Sequence, residues 1–297
     1  MKNKTKTSQY FEWAVLAVVV FFTLRILDKY LFTNYIKPET SQEKWILAIG
    51  FIFMTFIVLG VHELGHLLTG LMNGFRFELF VVGPLGIKRE GNKIKIYLNK
   101  NLGYYGGVAA TSPVDGNENN AKKFARILIA GPIASLIFSL ICFSIAYLTG
   151  KPLGMVFYTG GLVSLAIFFA TTIPSKTGIF YTDRKRYQRL TTPGKDQQVE
   201  LAMLKIIGSF TKDNSYKNIE ENDLSLLISD QMPFTRFFGL FNMICLQLEK
   251  NGVVEEKYLN DYQTLAKEMK KPMVAAFDKE IERYKQQFQK NKDSKHE

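Results

Sequence analysis

Residues 57–66 of the chain are Ile-Val-Leu-Gly-Val-His-Glu-Leu-Gly-His, and they lie within an apolar segment from Trp45 to Met72. A segment of this length can form a membrane-spanning helix. Residues four apart share one face of a helix, so the imidazoles of His62 and His66 can reach a single metal ion. Glu63 adjoins the first histidine and can take a proton from a water molecule beside the metal. The stretch therefore predicts a hydrolytic metal site within a membrane helix.

The surroundings of these residues strengthen the prediction. The chain has three histidines, and two of them are in this stretch. A charged side chain at bilayer depth costs roughly 2.5–3.5 kcal/mol on insertion scales, so it needs a reason to be there. A metal site supplies that reason. The alternative is a polar cluster that makes hydrogen bonds between helices.

Four apolar segments are long enough to cross a membrane, at residues 11–32, 45–72, 124–148 and 155–173. Basic residues concentrate near the N-terminus, in the loop 75–123 and at residues 184–189. Cytoplasmic loops carry such an excess, which predicts a multi-pass cell-membrane protein with both termini in the cytoplasm. If Trp45 marks the outer interface, residues 62–66 lie near the cytoplasmic edge of their span. The net charge of +11 follows from these loops, and no aromatic-interleaved basic stripe suggests a nucleic-acid partner.

The remaining sequence predicts a β region and a helical domain in a mainly α fold. Alternating apolar residues at 75–81 and 93–98, with a turn signal at 90–92, predict a membrane-associated β-hairpin, and a third strand is expected at 104–110. Apolar residues at helical spacing predict a C-terminal helical soluble domain. Its helices are expected at residues 196–210, 223–229 and 233–250, with a long one within 254–289. The expected domains are 1–190 in the membrane (core 45–190), 191–289 in the cytoplasm and a disordered tail at 290–297.

A zinc site needs a third protein ligand, and the residues leave its identity open. The soluble metzincin pattern fails because Thr69 and Met72 stand where it needs glycine and histidine. Glu78 lies in the hairpin, and Asp115 lies in a turn where aspartate is common. Asp183 follows the last span, where broken backbone at membrane depth must be buried or line a wet cavity. Asp183 could also be a simple helix N-cap.

Four features in order resemble the site-2 protease family of intramembrane zinc metalloproteases, and the resemblance covers roughly residues 45–190. They are the motif at 62–66, the glycine-rich strand region with Gly106-Gly107-Val108 and Pro113, the segment Ala130-Gly131-Pro132-Ile133-Ala134-Ser135, and the segment from Ile173 to Asp183. In the family, the aspartate that ends the last segment completes the zinc site.

The resemblance implies a Zn²⁺ cofactor held by His62, His66 and Asp183, with Glu63 as the catalytic residue. It also implies a membrane protein or peptide as substrate within a lipid bilayer. Ser135 and Thr171 stand where the family often has asparagines thought to hold the substrate, so they are the candidate substrate-binding residues. Arg184 stands where the family usually has glycine.

The sequence thus predicts a zinc metalloendopeptidase that hydrolyses peptide bonds of membrane-spanning or membrane-associated substrates. One alternative is a catalytically silent scaffold that binds transmembrane segments, and the departures at Ser135, Thr171 and Arg184 leave it open. A metal transporter is a weaker alternative, because no histidine or acidic residue lies deep in the third or fourth segment. The sequence indicates no oligomeric state.

Overall fold

The structure is a computed structural model that describes residues 37–293 together with residues 18, 21, 22 and 25. Apart from those four positions, the span predicted at 11–32 lies outside the described residues, as do residues 294–297. The described part is mainly helical with a small antiparallel sheet, as predicted.

Three helices in the described part are long and apolar enough to cross a membrane: α1 (Ser41–Met72), α2 (Asn120–Thr149) and α3 (Leu153–Thr172). Each includes nearly all of its predicted segment. Large apolar side chains on them, such as Phe53 and Leu140, are exposed rather than packed inside. A helix that is apolar on all sides is typical of a lipid environment. The three helices therefore indicate a membrane protein.

Contacts among the described residues group into two compact units. The first comprises the described residues up to Val58 and residues Ile137–Leu165. Its helices approach closely at glycines: a Cβ on Gly50 would lie 2.6 Å from Val156 Cγ2, and one on Gly160 would lie 2.3 Å from Met54 Cγ. Small residues of this kind let membrane helices pack against each other.

The second unit comprises Leu59–Leu136 and the chain from Ala166 onward, and it contains the sheet. The strands are β1 (Arg76–Val82), β2 (Leu85–Glu90), β3 (Lys93–Leu98) and β4 (Val108–Ser112), in the antiparallel order β3-β2-β1-β4. The predicted strands at 75–81 and 93–98 are confirmed as β1 and β3. The third predicted strand at 104–110 starts later, as β4, because a short 3₁₀ turn occupies Leu102–Tyr104.

Strand β2 was not predicted, because glycine and consecutive charged residues have low strand propensity. The structure shows why Gly86 is there: a Cβ on it would lie 2.4 Å from Cζ of Tyr97, whose ring crosses it from β3. The expected two-stranded hairpin is therefore a sheet in which β1 and β2 are interior strands.

The chain after α3 turns through a small hairpin into the C-terminal helices. This hairpin pairs β5 (Lys176–Thr177) with β6 (Phe180–Tyr181), and the helix α4 (Asp183–Thr191) follows. A bundle then contains α5 (Lys195–Asp213), α6 (Glu221–Ile228), α7 (Pro233–Asn251), α8 (Glu256–Ala266) and α9 (Lys271–Asp293). Its core centres on α7, with Phe237, Leu240 and Ile244 almost fully buried.

Two predictions for the C-terminal part need correction. The single long helix expected within 254–289 is two helices, α8 and α9. Pro272 explains the break: inside a continuous helix it would lack an N–H donor and its ring would clash with the carbonyl of Glu268, but it is tolerated in the first turn of a helix because the N–H it lacks has no partner there. Disorder was expected from residue 290 onward, but residues 290–293 belong to α9, which ends at Asp293.

Candidate active site

The histidine motif lies on α1 where α2 packs directly against it. The Nε2 atoms of His62 and His66 are 3.3 Å apart. A Cβ on Gly65 would lie 2.7 Å from the Ala130 carbonyl oxygen, and one on Gly131 would lie 2.2 Å from His66 Nε2. The glycines of both motifs therefore make room for the close approach of α2 and for the His66 ring.

Asp183 reaches the histidines through the turn that follows α3. Gly178 adopts a positive φ of 61° in the β5–β6 hairpin, which glycine tolerates without strain. The Thr182 hydroxyl then donates to the Ile173 carbonyl at 2.9 Å, and α4 begins at Asp183. Asp183 Oδ2 lies 3.4 Å from Nε2 of His62 and 3.3 Å from Nε2 of His66. Thr182 is the N-cap residue, so the carboxylate of Asp183 faces the histidines instead of capping the helix.

The spacing of these three atoms fits a tetrahedral zinc ion. Zinc–ligand bonds of about 2.0–2.1 Å at tetrahedral angles separate neighbouring ligand atoms by about 3.3–3.4 Å. The three separations here are 3.3, 3.3 and 3.4 Å. Among the described residues, His62, His66 and Asp183 are the group of His, Cys, Asp and Glu side chains that could hold a metal ion. The donor set of two imidazoles and one carboxylate leaves a fourth position open, as catalytic zinc sites require.

The Nδ1 atoms of both histidines contact groups outside the candidate metal position, and this leaves both Nε2 atoms facing Asp183. His66 Nδ1 is 2.6 Å from the carbonyl oxygen of Ile127, which can only accept, so Nδ1 carries the proton. His62 Nδ1 is 3.0 Å from Oγ of Ser135, which is fully buried. Partners of this kind orient metal-binding imidazoles and fix their tautomer.

Asp183 lies outside the spanning helices, and its carboxyl group is ionised. Burial raises the pKa of such a group, but hydrogen bonds and charge from His62 and His66 lower the pKa of Asp183 by more, to well below its ordinary value. Its negative charge is therefore available to a cation. The protons that those hydrogen bonds require are released when a metal takes the imidazole nitrogens.

Glu63 lies beside the backbone of β4 rather than among the three ligand atoms. The backbone N–H of Ala109 lies within hydrogen-bonding reach of its carboxylate. A Cβ on Gly107 would lie 2.9 Å from Glu63 Cγ, so only glycine leaves room for this side chain. The backbone of Gly107–Ala109 thus fixes Glu63 next to the candidate metal position.

A cavity of about 660 Å³ opens in front of these residues. Its lining includes Glu63, both histidines and Asp183, together with residues of β4 and Thr171. The C-terminal bundle supplies an apolar wall that includes Met203, Ile207, Met232 and Phe234. The cavity therefore offers a water-accessible metal position next to both a strand backbone and an apolar surface.

The structure places the other predicted residues as follows. The Thr171 hydroxyl lines the cavity and donates to the Ile167 carbonyl of its own helix at 2.9 Å. Ser135 contacts His62 and is absent from the cavity lining. Glu78 and Asp115 were the other candidates for the third zinc ligand, and both make different contacts. Glu78 forms an ion pair with Arg76 at 2.7 Å, and Asp115 Oδ1 accepts a hydrogen bond from the Asn117 N–H at 3.1 Å.

The sequence profile described as Peptidase family M50 matches residues 50–291. The chain belongs to peptidase family M50. This is the site-2 protease family, so the resemblance noted in the sequence is confirmed, and the match extends beyond residues 45–190 to include the bundle. Membership of the family and the apolar helices together make the chain a membrane metalloprotease, in a family that is typically zinc-dependent. No curated protein and no solved structure gave a significant match.

Sequence reasoning missed several residues that support the site. The Ile127 carbonyl and the Ala109 N–H belong to the backbone, so no side-chain pattern identifies them. Gly107 and Gly131 were noticed as parts of motifs, but not for the space that they leave to Glu63 and His66. The signal that could have found them is a glycine in an otherwise regular strand or helix, which marks a close approach.

Proposed function

We propose that the chain is an intramembrane zinc endopeptidase in which His62, His66 and Asp183 hold zinc and Glu63 is the catalytic base. The observation that carries this proposal is the set of ligand-atom separations, 3.3, 3.3 and 3.4 Å, which matches tetrahedral zinc. Zinc, when bound, would supply Lewis-acid activation of water and of the scissile carbonyl.

The side chain of Glu63 moves the protons of the reaction. Its carboxylate takes a proton from the attacking water and passes it to the leaving amide nitrogen, so peptide cleavage consumes one water and leaves Glu63 unchanged. The backbone of Gly107–Ala109, which lies against the carboxylate, holds it in place for both transfers. Because the cavity beside Glu63 is open, water can reach the site.

We further propose that β4 holds the substrate as an extended strand. A helical substrate hides its carbonyls in its own hydrogen bonds, so it must unwind before cleavage. In the sheet β1 and β2 are interior, and β4 is the edge strand whose backbone touches Glu63. Strand addition at a free edge is a common mode of peptide recognition.

Ser135 and Thr171 receive different roles in this proposal. Because the Ser135 hydroxyl contacts His62 Nδ1, we assign Ser135 to orienting that ligand instead of binding substrate. Thr171 lines the cavity, so it keeps the substrate-binding role that the resemblance implied. Arg184 is exposed, and its guanidinium lies 5.3 Å from the Tyr187 ring. This departure therefore does not obstruct the site, which favours an active enzyme over a silent scaffold.

The protein would work as a multi-pass cell-membrane enzyme with its termini and C-terminal bundle in the cytoplasm. The basic loops support this orientation through the positive-inside rule. Residues 62–66 lie in the last third of α1, toward its Met72 end, and this supports a site near the cytoplasmic edge of that span. The proposed substrates are single-span membrane proteins, cleaved signal peptides or pro-peptides.

The experiment is co-expression of the full chain with candidate membrane substrates, with zinc measured in the purified enzyme. We expect wild type to hold one zinc and to cleave, and Glu63→Gln to hold zinc without cleaving. Glu118→Gln, in an exposed loop, is the matched control and should behave as wild type. Cleavage by Glu63→Gln at the wild-type rate would refute the mechanism. Absence of zinc from the wild type would favour the scaffold.

A further inference from the structure

Asp183 is the first residue of α4, a helix that has little to hold it in place by itself. It has nine residues, Asp-Arg-Lys-Arg-Tyr-Gln-Arg-Leu-Thr, with Leu190 as its one aliphatic side chain. Isolated helices this short are marginal in water, because nucleating a helix is costly. The position of the Asp183 carboxylate therefore depends on what α4 contacts.

Arg189, near the C-terminal end of α4, connects this helix to the C-terminal bundle through buried ion pairs. Its guanidinium is buried. Nε donates to Glu200 on α5 at 3.0 Å, and Nη2 donates to Asp230, just before α7, at 2.5 Å. Nη1 donates to Asp196 at 3.0 Å. Glu200 and Asp230 are also buried, so this arginine and these two carboxylates form a closed ionic group.

Glu200 also binds a second arginine of α4. Arg186 Nη2 donates to Glu200 Oε2 at 3.2 Å, while the guanidinium carbon of Arg186 lies 4.9 Å from the Phe124 ring. Arg186 lies one turn after Asp183, on the same side of α4, and lines the catalytic cavity. Two contacts to one buried carboxylate fix the rotation of α4 as well as its place.

Buried ionic groups seldom stabilise a fold better than well-packed apolar side chains of similar volume. The planar fork of an arginine does, however, restrict its partners to one geometry. We therefore expect these ion pairs to fix the position of α4 rather than to stabilise the fold. We propose that Arg189, Glu200 and Asp230 position Asp183 for metal binding, so that the C-terminal bundle is part of the metal site. This inference rests on the proposed function, because it requires Asp183 to bind zinc.

A thermodynamic consequence follows from this positioning. If formation of the ionic group raises the affinity of the site for zinc by some factor, bound zinc must raise the equilibrium constant for formation of the ionic group by the same factor. Zinc binding should then hold α4 more firmly against α5. Loosening the ionic group should weaken zinc binding even in a chain that remains folded.

The test uses the full-length protein in detergent micelles, with zinc affinity measured by competition with a chelator. The variants are Arg189→Lys, which keeps the charge but loses the fork, and Glu200→Gln, which keeps the shape but loses the charge. We expect each to bind zinc about tenfold more weakly or worse, as for other residues that orient metal ligands, with an unchanged helical circular dichroism spectrum. Lys250→Met removes the exposed Lys250–Glu221 pair of the same bundle and should keep wild-type affinity.

Hydrogen exchange in wild type gives a second measurement that needs no variant. Zinc should slow the exchange of the amides in residues 183–191, and an unchanged rate overturns the inference even where the variants fail to fold. Wild-type zinc affinity in folded Arg189→Lys and Glu200→Gln also overturns it. In that outcome zinc is still bound, so only the positioning role fails. A wild-type chain that binds no zinc contradicts the proposed function itself.

Discussion

The substitution Gly131→Ala adds one methyl group at the point where α2 faces the metal site. The new Cβ would lie 2.2 Å from His66 Nε2. Ordinary contacts between such atoms begin at about 3.5 Å, so the imidazole must move by about 1 Å or more. Metal–ligand distances tolerate only about 0.2 Å of error. The imidazole is the end of a side chain, so it can swing aside while the helices stay in place, and the variant should fold but lose one of three zinc ligands.

Zinc affinity of the purified variant, measured by chelator competition, should fall by about 100-fold or more, since even residues that only orient ligands account for 10- to 100-fold. Gly106→Ala is the matched control, because a Cβ at Gly106 meets no atom within 4 Å, and its affinity should equal that of wild type. The reasoning is refuted if folded Gly131→Ala binds zinc as tightly as wild type does.

Three further substitutions test other parts of the structure. Ser135→Ala removes the partner of His62 Nδ1 and should weaken zinc binding by about 10- to 100-fold in the same competition assay, and an unchanged affinity would remove Ser135 from the site. Gly86→Ala should lower the thermal unfolding temperature because its Cβ meets the Tyr97 ring, and Tyr97→Ala should restore it; no restoration would contradict the assigned clash. Phe237→Ala empties a fully buried position in the bundle core and should cost about 3–5 kcal/mol in denaturant unfolding, so a loss below about 1 kcal/mol would contradict the assigned core.

The parts of the site that follow from local spacing were predictable from the sequence. His62 and His66 are one helical turn apart, so helical geometry alone brings their side chains together. The third ligand could not be derived in this way. Asp183 arrives from a distant segment through a hairpin, and its local surroundings are equally compatible with a helix N-cap. Only the resemblance to a family favoured it over that alternative.

The elements that the sequence failed to predict owe their structure to distant partners. Strand β2 contains Gly86, which is unfavourable in an isolated strand but is needed beneath the Tyr97 ring of β3. Arg189 was counted among the basic residues that set membrane orientation. In the structure it is buried against Glu200, which lies on α5, and Asp230, which lies between α6 and α7. Pairings of this kind depend on tertiary contacts, and a single sequence contains no local signal for them.

We propose that His62, His66 and Asp183 form a zinc site that hydrolyses peptide bonds. The most direct measurement is a titration of zinc into the metal-free full-length protein, with cleavage of a membrane-anchored peptide as the readout. The peptide is one that the wild type cleaves in co-expression. We predict that cleavage rises in proportion to added zinc, stops rising at one zinc per chain and is absent from Asp183→Ala at the same zinc concentration. Full cleavage by the metal-free protein, or wild-type cleavage by Asp183→Ala, would contradict the claim.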